Sequence, residues 1–147
     1  MLFRSMMKYV SLCEALTTTA KAGLDLNVVY EAIRISSGNS FVHETESQVI
    51  LNGSRDINFT MDLVSKDIGI FDKIARDLEV PLELSPLLVE IFKDGEQKYG
   101  SREWSSNIIR RLEDQTGVEV LAPGFPKQMV DDEEEIPGYE IKSGKSS

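Results

Sequence analysis

Hydrophobic positions recur at helical spacing along most of the chain. The clearest case is Phe59–Val80, where Met61, Val64, Ile68, Phe71, Ala75 and Leu78 follow one another at intervals of 3, 4, 3, 4 and 3. That draws one apolar stripe down a helix of about five turns. Met6–Ala22 is a second such stretch, with Met6, Tyr9 or Val10, Cys13, Leu16 and Ala20 on one side and Gly23 as its C-terminal cap. Asp25 is suited to N-cap a helix over Leu26–Ser36 that turns Val29, Ala32 and Ile33 inward. The turn Ser36–Asn39 follows, with Gly38 free to take positive φ. A helix over Phe41–Leu51 stops at Gly53. After Pro81, Ser85 and Pro86 read as an N-cap and first helical residue of a helix to Tyr99. Ser101 opens a sixth, with Trp104, Ile108 and Leu112 on one face, ending at Gly117. No segment alternates with period two. The pattern predicts an all-α fold, a bundle of about six helices over residues 6–117.

Residues 118–147 are different. They hold three of the five prolines, the acidic run Asp131–Glu135, and seven acids against three bases. Such a composition cannot bury enough apolar surface to fold alone, and Leu121, Phe125 and Met129 are expected to pin it as an extended acidic arm. The whole chain of 147 residues carries a net charge of −9, which leaves no basic face for nucleic acid. No apolar run is long enough to span a membrane, and no secretory signal is visible, so no membrane contact and a cytoplasmic location are expected. Cys13, the single cysteine, follows the apolar pattern and reads as a buried thiol in a reducing compartment.

Candidate chemistry is sparse. His43 is the only histidine, expected at the surface or half-buried and without a second metal ligand at helical spacing. No metal site is expected; the acids from Asp131 to Glu135 lack a shaping glycine and stay solvated. Lys66 stands away from the apolar stripe, and on pattern alone it is a surface lysine paired with Asp62 one turn before it. Asp67 borders the stripe. Gly69, inside a helix, costs about 1 kcal/mol against alanine and calls for close approach by another backbone or a ligand.

Four landmarks occur in order: EALTTTAKAGLD at Glu14–Asp25, SSGNS at Ser36–Ser40, FTMDLVSKDIGI at Phe59–Ile70 and VPLELSPLLVEIF at Val80–Phe92. With them, Met6–Gly117 resembles the C-terminal helical domain of the β-hydroxyacid dehydrogenase family, which includes 3-hydroxyisobutyrate, tartronate semialdehyde and threonate enzymes and has the 6-phosphogluconate dehydrogenase C-terminal fold. The resemblance implies an N-terminal Rossmann domain holding NAD or NADP as partner, and homo-oligomers formed through the helical domain. It assigns Lys66 to cofactor binding and places Phe59, Asp67, Gly38 and Asn39 at the substrate cleft. Phe41 and Glu44-Thr45-Glu46 stand where many relatives carry other residues, so substrate preference does not transfer.

The family's catalytic lysine lies in a Lys-x-x-Asn motif that would fall at and before Met1, so no catalytic residue is assigned, and Lys8 is two turns too far along to replace it. Met1–Ser5 reads as a non-native scar, which makes the chain a fragment of a longer dehydrogenase, inactive alone. Without the Rossmann domain, an exposed apolar face is expected on the first helix. Two other readings stand beside this one: a free-standing helical interaction domain with the acidic tail as contact segment, and an imine reductase-like domain with a different proton donor.

Overall fold

The structure is a computed structural model that describes residues 2–131. Six α-helices follow in order: α1 (Leu2–Lys21), α2 (Leu26–Arg34), α3 (Phe41–Asn52), α4 (Met61–Asp77), α5 (Leu84–Tyr99) and α6 (Arg110–Thr116), with a 3-10 turn at Ser105–Ile109 before the last. Among the described residues there is no strand, only a single antiparallel bridge between Thr60 and Trp104. The all-α expectation holds.

α1 lies at the centre and touches all five other helices and the 3-10 turn. Met6, Tyr9, Leu12, Cys13 and Leu16 are buried along it. The helix starts at Leu2, within the stretch read as a scar, and the Phe3 ring stacks on Phe71 of α4 at 4.6 Å between centroids. The exposed apolar face expected on α1 is not there. Among the described residues the large exposed apolar side chains lie on α2 and its flanks (Leu24, Val28, Ile35), at Phe41 of α3, along the α4–α5 hairpin (Ile70, Ile74, Leu78, Val80, Leu84, Leu87) and on the arm (Leu121, Met129, Val130). Being central, α1 spends its apolar positions on its neighbours. On α2, Leu26 and Val29 are buried, whereas Ala32 faces solvent.

α4 is shorter than its stripe. Its first residues would leave amides without partners, and the loop before the 3-10 turn supplies acceptors: Met61 N–H donates to Glu103 O (3.0 Å) and Asp62 N–H to Ser101 O (3.0 Å). Thr60 is extended there, and Ser105 N–H donates to Phe59 O at 2.8 Å. This also undoes the helix expected from Ser101, because that backbone is bent to serve α4. At the other end Glu79 takes a left-handed φ of 57°, and Val80 N–H donates back to Ala75 O at 2.8 Å. Leu78, expected in the stripe, is consequently 69% exposed. α5 begins at Leu84 without a side-chain cap, so Ser85 lies inside the first turn and is not the cap expected. Pro86 is tolerated there because a first-turn amide has no partner in its own helix.

Two buried features hold these pieces together. Arg55, at φ 59°, places Nη2 2.8 Å from Glu113 Oε1 on α6, with side chains only 10% and 14% exposed. The same carboxylate oxygen accepts from Val120 N–H at 2.9 Å, and Arg55 O accepts from Ser106 Oγ. The residues that follow cross α3: Ala122 N–H donates to Leu51 O, Asn52 to Phe125 O, and Gln48 pairs with both backbone groups of Val130. The arm is pinned by Val120, Phe125 and these bonds, whereas Leu121 and Met129 remain 47% and 41% exposed. Of the acidic run only Asp131 falls among the described residues; Asp132–Glu135 lie outside them.

The second feature is Gly95. A Cβ there would stand 2.5 Å from Ile108 Cδ1 and 3.1 Å from Met61 Sδ, both in the core. At Gly69 a Cβ would meet nothing within 4 Å, so close approach within this chain does not explain that glycine. Gly38, for its part, does not take positive φ.

Gly69→Ala should therefore raise unfolding stability by about 0.5–1 kcal/mol, and Gly95→Ala should lower it by about 1–2 kcal/mol despite the same helix-propensity gain. Urea midpoints of the two variants check this, and a stabilised Gly95→Ala would refute the packing argument. Glu113→Ala strands a buried guanidinium and should cost about 3 kcal/mol. The exposed Glu119→Ala should change stability by less than about 0.5 kcal/mol; equal midpoints for the two would remove the pair's structural role.

Candidate functional site

The residues singled out by sequence fall on two separate elements packed on α1: α4 and the α2–α3 turn. α4 turns Val64 and Ile68 into the core and leaves Lys66 on the outer face. Lys66 Nζ stands 3.3 Å from Asp67 Oδ1, with side chains 61% and 39% exposed. The ion pair expected with Asp62 is not made. Asp62 instead accepts from Thr60 Oγ1 and pairs with Arg102 at 2.9 Å, two contacts that hold its carboxyl below the usual aspartate range. Lys66 is thus left with one sequence neighbour and a water-facing ammonium. Gly69, one turn on, adds no side chain to that face, and Phe59 sits at the base of α4, partly buried against the core.

The other element is the α2–α3 turn. Asn39 Nδ2 donates to Glu44 Oε1 at 2.5 Å and its Oδ1 accepts from Ser40 N–H at 2.7 Å, so the side chain is spent on the turn itself. Gly38 lines a cleft of about 210 Å³ against the middle of α1, and no α4 residue stands in its wall. The structure therefore brings Lys66 beside Asp67, and Gly38 beside Asn39, but keeps the two pairs on separate elements.

Lys8, which the spacing set aside as a catalytic lysine, lines the Gly38 cleft together with Ser11, Ser36 and Ser40. Its spacing from the landmarks argued against it; only the fold-back of the turn over α1 shows the placement. Sequence reasoning missed the depth of His43, which is 1% exposed and not at the surface. The ring bridges Tyr30 O at 2.9 Å through Nε2 and Ser47 Oγ at 2.9 Å through Nδ1, and burial lowers its pKa against the opposing effect of the Tyr30 carbonyl. Both nitrogens are occupied, so His43 is a structural group. Cys13 is buried as expected, and burial pushes its thiol up. No cluster of metal-ligating side chains occurs among the described residues, and none of their helices is long and apolar enough to cross a membrane.

Comparison with known proteins decides what this arrangement belongs to. Residues 5–112 match the NAD-binding domain family of NADP-dependent 3-hydroxyisobutyrate dehydrogenase. The chain belongs to that family. It is 35% identical over 111 residues to a 2-(hydroxymethyl)glutarate dehydrogenase from Eubacterium barkeri, covering 75% of this chain and 37% of that protein. It is 27% identical over 97 residues to an L-threonate dehydrogenase from Escherichia coli K12, covering 66% of this chain and 32% of that protein. A 3-hydroxyisobutyrate dehydrogenase from Salmonella typhimurium superposes with a TM-score of 0.67 at 25% identity, over 75% of this chain and 39% of that one. The chain spans about a third of the length of the curated relatives it matches. It is an NAD-binding domain of the hydroxyacid-dehydrogenase type, and its family cofactor is NAD or NADP. The α4 face fits such a ligand: an exposed cation answers the negative charge of a dinucleotide, and the bare Gly69 leaves room beside it.

Burial also shapes one carboxyl that pattern left ordinary. Glu46, on α3, has an Oε2 with no hydrogen-bond partner, and burial pushes its pKa up to about 7. Because folding raises this pKa above the unfolded 4.5, unfolding releases a proton between the two values. The contribution is fully present below pH 4.5 and is lost as pH rises to about 7, a span on the order of 3 kcal/mol. His43, with its lowered pKa, acts in the opposite sense as pH falls. Comparing wild type with Glu46→Gln isolates the glutamate: their stability difference should shift between pH 4.5 and 7, and a constant difference would show that Glu46 is ionised throughout.

Proposed function

We propose that this chain is the helical half of an NAD(P)-dependent oxidoreductase acting on the CH–OH group of a short β-hydroxy acid, and that it closes over an N-terminal Rossmann domain to form the active-site cleft. The observation that carries the proposal is the exposed ammonium of Lys66 on the outer face of α4, within a chain of this family. In this reading Lys66 holds an anionic or polar group of the cofactor, Asp67 steadies the ammonium across 3.3 Å, and Phe59, Gly38 and Asn39 border the substrate. The bound nicotinamide supplies hydride exchange. This chain's residues bind and orient the reactants. Similarity to dehydrogenases for 2-(hydroxymethyl)glutarate and L-threonate supports a small polyfunctional acid as substrate. Imine reduction enters only as a control.

The exposed α4–α5 strip of Ile70, Ile74, Leu78, Leu84 and Leu87 supports homo-oligomers through the helical domain. A cytoplasmic location is part of the same reading and accords with a single, buried, unpaired cysteine.

The test pairs purified 1–147 with a separately expressed nucleotide-binding domain of a relative. The pair should reduce or oxidise short hydroxy acids with NAD(P), and 1–147 alone should not. Lys66→Gln should raise the cofactor KM about tenfold, the loss of roughly 1.4 kcal/mol of charged contact, while Lys73→Gln leaves it unchanged. Turnover by 1–147 alone, or an unchanged cofactor KM in Lys66→Gln, refutes the assignment. A pair without turnover on either acids or imines favours the interaction-domain alternative.

A further inference from the structure

Phe125 lies on the arm, beyond the residues 5–112 that match the family, and its ring packs on the helix pair that carries the α2–α3 turn. We propose that Phe125 is a positioning residue for that turn, acting through Tyr30 and His43 to hold Asn39 and Ser40 in place.

Every step of the path is a contact. The Phe125 ring meets Tyr30 of α2 edge-on, at 5.1 Å between centroids and 70° between planes. Tyr30 in turn lies against His43 of α3, at 4.7 Å and 33°. Hydrogen bonds tie Tyr30 to α3 as well: its carbonyl accepts from His43 Nε2 at 2.9 Å, and its hydroxyl donates to Glu44 O at 3.3 Å. His43 and Glu44 then reach the turn. His43 N–H donates to Ser40 Oγ at 3.1 Å, and Glu44 Oε1 accepts from Asn39 Nδ2 at 2.5 Å.

Other bonds of the turn are local. Ser36 Oγ donates to Ile33 O, and Gly38 N–H and Asn39 N–H both donate to Ser36, at its Oγ and its carbonyl. They set the shape of the turn but not its place against α3. That place depends on how α2 meets α3, and Tyr30 is the side chain that joins them. Tyr30 is only half-buried, and Phe125 covers it from the arm, itself partly buried against the core. The arm gives Phe125 a firm base, because Asn52 Nδ2 donates to Phe125 O at 2.7 Å and Ala122 N–H to Leu51 O at 2.9 Å. Phe125 is thus anchored to the last turn of α3 while its ring bears on the residue that steadies the first. Without that ring, water reaches the Tyr30 edge and competes for the long bond to Glu44 O.

This inference rests on the reading of the turn as a border of the substrate, but its first test needs no turnover. Amide resonances of the full chain are compared in wild type and in variants of the arm. Phe125→Ala should displace the resonances of Asn39, Ser40 and Glu44. Phe125→Leu, which keeps the apolar bulk that pins the arm but lacks the ring, should displace them in the same direction. Phe125→Tyr should restore them, and Met129→Ala, an exposed site on the same arm, should leave them as in wild type. The second test uses the pair with a relative's nucleotide-binding domain, on L-threonate or 2-(hydroxymethyl)glutarate, whichever it turns over. There Phe125→Leu should raise the substrate KM about fivefold, the size of one aromatic contact, with kcat and the cofactor KM unchanged and Phe125→Tyr recovering wild-type values. Unmoved turn resonances in Phe125→Ala and Phe125→Leu, a displacement confined to the arm and Asn52, no rescue by tyrosine, or an equal loss in kcat and both KM values would each overturn the proposal. A wild-type pair without turnover counts against the dehydrogenase reading, and the resonances then decide the role of Phe125 by themselves.

Discussion

The amides at the start of α4 need acceptors, and the way they find them organises much of this molecule. Their partners are the carbonyls of Ser101 and Glu103, some forty residues away in sequence. That choice fixes where α4 begins, and with it which residues of the stripe face inward and that Lys66 faces out. It also bends residues 101–104 into a loop, so that the chain reaches the 3-10 turn and α6 at an angle no continuous helix could take. The Arg55–Glu113 pair then locks the same region from beneath, tying the α3–α4 loop to α6 and to the arm through Val120. Removing either partner would leave a charge in a dry site, so the clasp is all or nothing.

The part of this architecture that was legible in the sequence is the part decided locally. The stripes of α1 and α4 and the caps at Asp25 and Gly53 depend on residues within a turn or two of one another, and the helices appear where they were expected. What failed was decided at long range. The broken sixth helix follows from α4's need for acceptors, and the exposure of Leu78 from the left-handed Glu79. Asp62 was lost to Lys66 because Arg102 arrives from the far loop. Ala32 faces out because one helix face is already enough to seat α2 on α1 and α3.

The candidate site divides along the same line. That Lys66 lies off the apolar stripe could be read from spacing. The position of Lys8 could not, because it becomes a cleft residue only when the α2–α3 turn folds back over α1. The acidic composition gives both cations added weight. Among the described residues several lysines and arginines are tied to acids, as Arg34 is to Glu31, Lys73 to Asp77 and Arg111 to Asp94. Lys8 has no such partner among the described residues, and Lys66 only its own neighbour in sequence.

Two helical glycines show why residue type alone does not reveal a role. Gly95 is required from within: Ile108 and Met61 occupy the space a side chain would need where α4, α5 and the 3-10 turn meet. Gly69 carries the same conformational cost and has no neighbour to justify it. It stands one turn beyond Lys66 and beside Ile70, on a face where cation and apolar side chains are both open to water. An unrepaid helix glycine, an exposed ammonium and an exposed isoleucine on one surface have a common explanation if that surface is covered by a ligand and a second domain. The core is complete without them.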